Sequence, residues 1–269
     1  MRRRKGEWRK RQKGMTLAIV LSGLVILAMI SVTLLSRADR DVTSGATVVD
    51  RAKAAALVEG AIDASILALF APDTRNALTR SDGALEVSIA GTRMTTHVRD
   101  VCGLWDLNHG QIAVFTRLLE NLGAPGPALT ADALSTARGV ETGLLSRQQI
   151  RSLPGIDTGL YQRLSKEVTV NCRADRIDPG FASAILLSAI PNMSQGQVDT
   201  IIEQRRDGGV APDLLASHAD YLAPGPGQTY EISATHALGP GSRIFRRAEV
   251  TLTHHPSEPY RILAWVTAE

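Results

Sequence analysis

Between Lys13 and Arg37 the chain carries no charged residue, and this run limits what its first quarter can become. The stretch from Met15 to Ser36 is 22 residues long, enough at about 1.5 Å per residue to cross a hydrocarbon core of about 30 Å. Just upstream stand Arg2, Arg3, Arg4, Lys5, Arg9, Lys10, Arg11 and Lys13, which the positive-inside bias keeps in the cytoplasm. Everything after Ser36 is then expected on the other side of the membrane. The order of basic head, Gly14 and apolar run predicts a leader cut at its cytoplasmic edge, between Gly14 and Met15. A secretory signal would instead be cut after its apolar core. A plain signal anchor is the alternative, and the glycine at the junction favours cleavage.

The leader accounts for the basic composition. The chain has 30 Lys and Arg against 27 Asp and Glu, and the first 14 residues hold eight of the basic groups and one acidic group, Glu7. What remains after cleavage is net negative, which counts against a nucleic-acid partner, since phosphate-binding domains are basic.

From Ala38 to Phe70 the pattern predicts a helix continuing the apolar run, ended by Pro72. Val42, Ala46, Val49, Ala52, Ala56, Gly60, Ala64 and Leu67 form a stripe of mostly small residues along it. The stripe is expected to pack on its own domain, with an assembly face as the alternative. The period then changes to two. Leu85, Val87 and Ile89 alternate with polar residues, Ala90 and Gly91 supply a turn, and a second extended run reaches Val101. Three more extended runs lie near Tyr230 to Leu238, Ile244 to His254 and Tyr260 to Thr267. Strands early and late around a helical middle predict an α+β fold: a long N-terminal helix on one antiparallel sheet, interrupted by a large helical insertion. The expected boundaries are 1–14 for the leader, 15–36 for the membrane part, 37–107 with 228–269 for the sheet domain, and 108–227 for the insertion.

Within the insertion, Val101 to Asn108 and Val170 to Asp178 look like two copies of one unit, each with a cysteine followed six residues later by Asn108 or Asp178. Both are N-cap residue types, and Pro179 suits a first helical position, so Asn108 and Asp178 are expected to cap helices. Cys102 and Cys172, the only two cysteines, occupy matching offsets and are the candidate disulfide; two buried free thiols are the alternative. Two further segments, Ile150 to Asp157 and Leu187 to Ser194, each lead into a helix in the manner of a helix-hairpin-helix. That motif offers backbone N–H groups to a phosphate. Here Asp157 and Ser194 stand where its second glycine belongs, which favours a structural helix pair over a DNA clamp.

The chain as a whole resembles the general secretion pathway protein K family, the large minor pseudopilins of type II secretion systems. The residues that carry the likeness are Lys13, Gly14 and Met15, the Leu107–Asn108 opening and the Leu153, Pro154, Gly155, Ile156 turn before Tyr161 and Leu164. They continue with Val168, Thr169 and Val170, then Ile177, Asp178 and Pro179, then Arg205 and the closing run from Tyr260 to Trp265. The resemblance implies a non-enzymatic subunit of the bacterial inner membrane, N-terminus cytoplasmic and ectodomain periplasmic, cut and methylated by a prepilin peptidase. It implies a place at the tip of a short filament, with pseudopilins of the I, J and H types and the inner-membrane secretion platform as partners. Most pilin-like subunits carry Glu at the fifth mature position, and the protein K family lacks it; here that position is Ile19. Such a Glu neutralises the N-terminal ammonium of a neighbour within the apolar bundle, and a subunit with nothing above it can dispense with it.

Some relatives bind calcium, but no acidic run with EF-hand spacing occurs here, so no cofactor is assigned and calcium is left open without a motif. Neither a Walker loop nor H-E-x-x-H nor G-x-S-x-G is present. His254 and His255 are expected to be exposed, and Trp105 and Trp265 to be packing residues. A membrane-tethered DNA receptor and a minor pilin of a type IV pilus or competence system are the competing readings.

Overall fold

The structure, a computed structural model, describes residues 5–71, 73–80, 82–139, 143–207, 209–225 and 227–268, without the side chains of 5–18, 34–46, 75, 76, 79, 254 and 268. It divides into two compact units, 1–54 and 55–269.

Helix α1 runs over Lys5–Ala68. Pro72, expected to end it, lies outside the described residues. Among the described residues no helix is long and apolar enough to cross a membrane. Of the uncharged run, the described side chains are residues 19–33, and nearly all are exposed. Their polar members look after themselves: the hydroxyls of Ser31 and Thr33 donate to the carbonyls of Leu27 and Ile30.

In the second unit, the last turns of α1 bury Val58, Ala61, Ile62, Ser65 and Ile66. This is not the small-residue stripe. Ala52, Ala56 and Leu67 are exposed, and the burial of β-branched and longer side chains on the neighbouring face outweighs the small residues. Gly60 alone serves close approach, since a Cβ there would stand 3.2 Å from Ile89. The Ser65 hydroxyl bonds the Ala61 carbonyl and shares a 2.7 Å bond with Thr96, so a polar pair is satisfied inside the helix–sheet contact.

After α2 (Thr74–Arg80), β1 (Ala84–Ile89) and β2 (Thr92–Asp100) form the hairpin. Ala90 and Gly91 both take positive φ, 50° and 80°, as the tightest hairpin turns require. Strands β5 (Thr229–Gly239), β6 (Ser242–His255) and β7 (Glu258–Ala268) complete an antiparallel sheet in the order β1-β2-β5-β6-β7. One row crosses it from Val98 through Ile232 and Ala248 to Trp265. The first three are buried; Trp265, on the edge strand, is 39% exposed, so it is not the packing residue expected. Its row runs past the part of the sheet that the core covers.

The chain leaves the sheet at Asp100 and returns at Thr229, with Asp100 facing Tyr230 across β2 and β5. Between them lie β3 (Trp105–Asp106), α3 (Ile112–Asn121), α4 (Pro127–Arg138), α5 (Thr158–Leu164), β4 (Val168–Thr169), α6 (Ala184–Ser188), α7 (Gln195–Arg206) and α8 (Pro212–Ser217). The segment has its own core, in which Trp105, Phe115, Leu118, Leu134, Leu164 and Leu186 are among the buried members. Trp105 stacks on Phe115 with ring centres 4.6 Å apart, and the Arg138 guanidinium lies 4.8 Å over the indole. Burial pulls the Arg138 pKa down, offset in part by Asp106.

Candidate functional site

The residues singled out in the sequence fall in three places. Gly14 and Met15, the cleavage site, lie within α1, and their side chains are not among those described. Ile19, the fifth position after it, is 64% exposed. Cys102 and Cys172 are bonded, with Cα atoms 4.9 Å apart.

The two copies of the apparent repeat are not structurally equivalent. β3 pairs in parallel with β4, which sets Trp105 beside Val168, whereas the 70-residue offset of the cysteines would set it beside Asp175. Nor do Asn108 and Asp178 cap helices. Helix α3 begins four residues after Asn108, behind Gln111, which makes no side-chain cap. The Asn108 amide instead clips a distant strand of backbone, accepting from the Leu144 N–H and donating to its carbonyl at 2.8 and 2.9 Å. The Asp178 carboxylate closes a local turn on the Gly180 N–H, and α6 starts behind Ser183. Asn and Asp bond backbone two residues on as readily as they cap, and here the turn won.

The residue that organises the disulfide region is Asp106, which sequence reasoning passed over. It is buried; its Oδ1 accepts the N–H groups of Asn108 and His109, and its Oδ2 those of Cys172 and Arg173. Four backbone donors thus converge on one carboxylate, which ties the turn after β3 to the Cys172 side of the disulfide. Nearby, the Cys102 carbonyl accepts the Asp178 N–H, and Asp100 accepts the Cys102 N–H. The sequence signal was an aspartate inside an apolar stretch, Leu104 to Leu107, where an unpaired charge would be costly.

A second polar group joins the helical segment to the sheet. Arg147 donates from Nη2 to Glu231 on β5 at 2.7 Å and to Glu249 on β6 at 3.1 Å, and from Nη1 to the Ser165 carbonyl. Asn171 donates to Glu249 at 2.9 Å, and Arg99 to the Lys166 carbonyl at 2.7 Å. Burial raises the Glu231 pKa, but Arg147 and Arg247 outweigh it and hold the carboxyl below the ordinary range. Burial likewise lowers Arg147, and Glu231 with Glu249 more than restore its charge. Nothing local in the sequence marks these partners, which lie far apart in the chain.

The helix-hairpin-helix turns have caps where a phosphate would sit. The Asp157 carboxylate accepts the Leu160 N–H at 2.6 Å, and Ser194 with Gln197 forms a capping box on α7. Gly155 has φ 79° and Asn192 φ 63° in the two turns. His255 is exposed and hydrogen-bonded to Ser257, and the His254 side chain lies outside the described residues. Among the described residues no group of three His, Cys, Asp or Glu is placed to hold a metal ion.

No protein-family model matches the sequence, and no curated protein does. A solved structure is similar. It is a chain of the GspK-GspI-GspJ complex from the enterotoxigenic Escherichia coli Type 2 Secretion System, 14% identical, with a TM-score of 0.46. The match covers 78% of this chain and 99% of that one.

Proposed function

We propose that the chain is a minor pseudopilin of a type II secretion system: cut by a prepilin peptidase, anchored in the inner membrane by its N-terminal helix, and placed at the filament tip. The observation that carries this reading is the character of α1. One helix, Lys5–Ala68, holds uncharged residues 19–33 with their apolar side chains exposed, and its last turns are seated on an antiparallel sheet. A helix apolar on all sides needs an apolar surrounding, and the Ser31 and Thr33 hydroxyls, bonded to their own backbone, suit one. Ile19 in place of a carboxylate supports the tip position, and the helical segment 101–228 supplies the cap. Partners of the other minor pseudopilin types, the secretion platform and a role in starting the filament belong to the same reading.

The DNA-receptor reading loses ground to the Asp157 cap. Its carboxylate occupies the amide group that a phosphate would need, and it repels an anion. Co-expression with a prepilin peptidase, followed by N-terminal sequencing of membrane-extracted protein, tests the proposal. A new terminus at Met15 is expected, and a terminus at Met1 or beyond Ser36 rejects it.

A further inference from the structure

The two edges of the five-stranded sheet are guarded unequally. β1, at one edge, is six residues long and carries Glu86 near its middle, exposed and 3.9 Å from Arg93. Short length and outward charge are ordinary means of keeping an edge from pairing. β7, at the other edge, runs for 11 residues, and the stretch Ile262 to Ala268 holds no charge, proline or glycine.

The first half of β7 is protected. Pro259 lacks an N–H, and the register against β6 shifts between Glu249 and Val250 and again toward the turn. From Ala264 to Ala268 the pairing is regular, against Glu249 to Phe245, and among the described residues no strand lies on the outer side. Ile262, Leu263, Trp265 and Val266 are each between 37% and 45% exposed. Trp265 and Val266 are successive residues and point to opposite faces of the sheet, so the edge is apolar on both. The outward N–H and C=O groups of such an edge are matched in spacing only by another extended backbone.

The surroundings of its far end are basic. Arg246 and Arg247 stand opposite Thr267 and Val266. Arg246 meets Glu59 at 3.5 Å, and Arg247 meets Glu231 at 3.7 Å, a carboxylate that Arg147 holds more closely. Arg243, exposed on β6 beyond the Phe245–Ala268 rung, makes no described hydrogen bond or ion pair. A second copy of this edge would bring its own arginines with it, whereas an acidic strand end would meet opposite charge.

We propose that the edge from Ala264 to Ala268 binds an extended segment of a partner chain as a sixth strand, apolar at its centre and acidic at the end beside Ala268. Main-chain hydrogen bonds supply affinity, and Trp265 on one face with Val266 on the other selects the side chains. The inference is independent of the secretion reading.

The test titrates the full-length chain in detergent micelles with a blocked synthetic peptide: seven valines and threonines in alternation, with a glutamate at each end. Calorimetry gives the affinity, and hydrogen exchange locates the site. Saturable binding is expected, with slowed exchange of amides between Ala264 and Ala268. The same peptide with alternate amides N-methylated should not bind, and lysine in place of both glutamates should weaken binding about tenfold or more. Trp265→Lys and Val266→Lys, both at exposed positions, should each weaken it by a similar factor. If one variant fails to fold, the other and the peptide series decide. Absence of binding overturns the proposal, as does binding that leaves β7 exchange unchanged. Equal affinity for the N-methylated or lysine-ended peptide, or unchanged affinity in a folded variant, also overturns it. Protection of β7 that grows with protein concentration alone overturns it in favour of a second copy.

Discussion

The Oδ2 of Asp106 accepts the backbone N–H of Cys172 at 3.1 Å, so a buried carboxylate at the end of β3 positions the far half of the disulfide. The same oxygen takes the Arg173 N–H, at a residue whose φ of 60° would otherwise be disfavoured. Asp106→Asn puts an amide NH₂ against backbone donors on one side of the group. A loss of about 2–3 kcal/mol is expected, from the stranded donors. Urea unfolding monitored by circular dichroism measures it, and a loss under about 0.5 kcal/mol, the usual size for an uninvolved surface change, contradicts the role given to Asp106.

The disulfide closes a loop spanning 70 residues of sequence, for which chain entropy gives about 4 kcal/mol. Replacing both cysteines with serine should lower stability by up to that amount. Mass spectrometry of non-reduced protein should recover a Cys102–Cys172 linked peptide. Two freely alkylated thiols in protein from its native compartment would remove the bridge from the account.

Stability should depend on pH through Glu231. Its carboxyl is held below the ordinary 4.5 in the folded chain, so its contribution is complete above that value and fades as pH falls through the lowered folded pKa. Glu231→Gln leaves the Arg147 charge, itself only 14% exposed, with Glu249 alone, and a cost of about 3 kcal/mol is expected at neutral pH. Denaturation midpoints for both proteins between pH 7 and pH 3 should converge on acidification. Parallel curves would mean that the pair does not stabilise the fold.

Ile19→Glu tests the tip position. The proposed tip position leaves no subunit above to supply an ammonium, so on that proposal the new charge should leave assembly unchanged or impair it. Secretion assays in a strain lacking the native gene provide the readout. Improved secretion together with incorporation along the whole filament would show that the absent carboxylate carries no positional meaning.

Gly103 admits no side chain: a Cβ there would stand 2.5 Å from Phe181 Cβ and 2.6 Å from its backbone carbon. Gly103→Ala should therefore shift the backbone between β2 and β3 and cost about 2 kcal/mol or more. A thermal midpoint equal to that of the wild type would refute this.

The sheet was legible because its cues are local. The Leu85, Val87, Ile89 alternation and the Ala90–Gly91 turn define the hairpin within ten residues, and the structure places β1 and β2 there. The stripe on α1 misled because small residues at helical spacing say nothing of which neighbouring face buries more area, and Val58, Ile62 and Ile66 do. Asn108 and Asp178 misled because their side chains suit a cap, a turn or a long-range clip equally well, and the partner that decides, Leu144 for Asn108, is remote in sequence. Arg147, Glu231 and Glu249 were invisible for the same reason: charge pairing across folded elements has no period.

Asp100 and Tyr230 sit on one rung, although the chain between them travels through a separate core. That geometry sets an order of events in folding. The β5–β6–β7 meander is joined by short turns and can form early, while β2 must wait for a loop of more than a hundred residues to close. Prior collapse of residues 101–228 brings the two ends together and shortens the effective loop, so the helical segment acts as a template for the last strand pairing. Pulse-labelled hydrogen exchange should then show amides of α3 and α7 protected before those of β2; the reverse order would mean that the sheet recruits the helices.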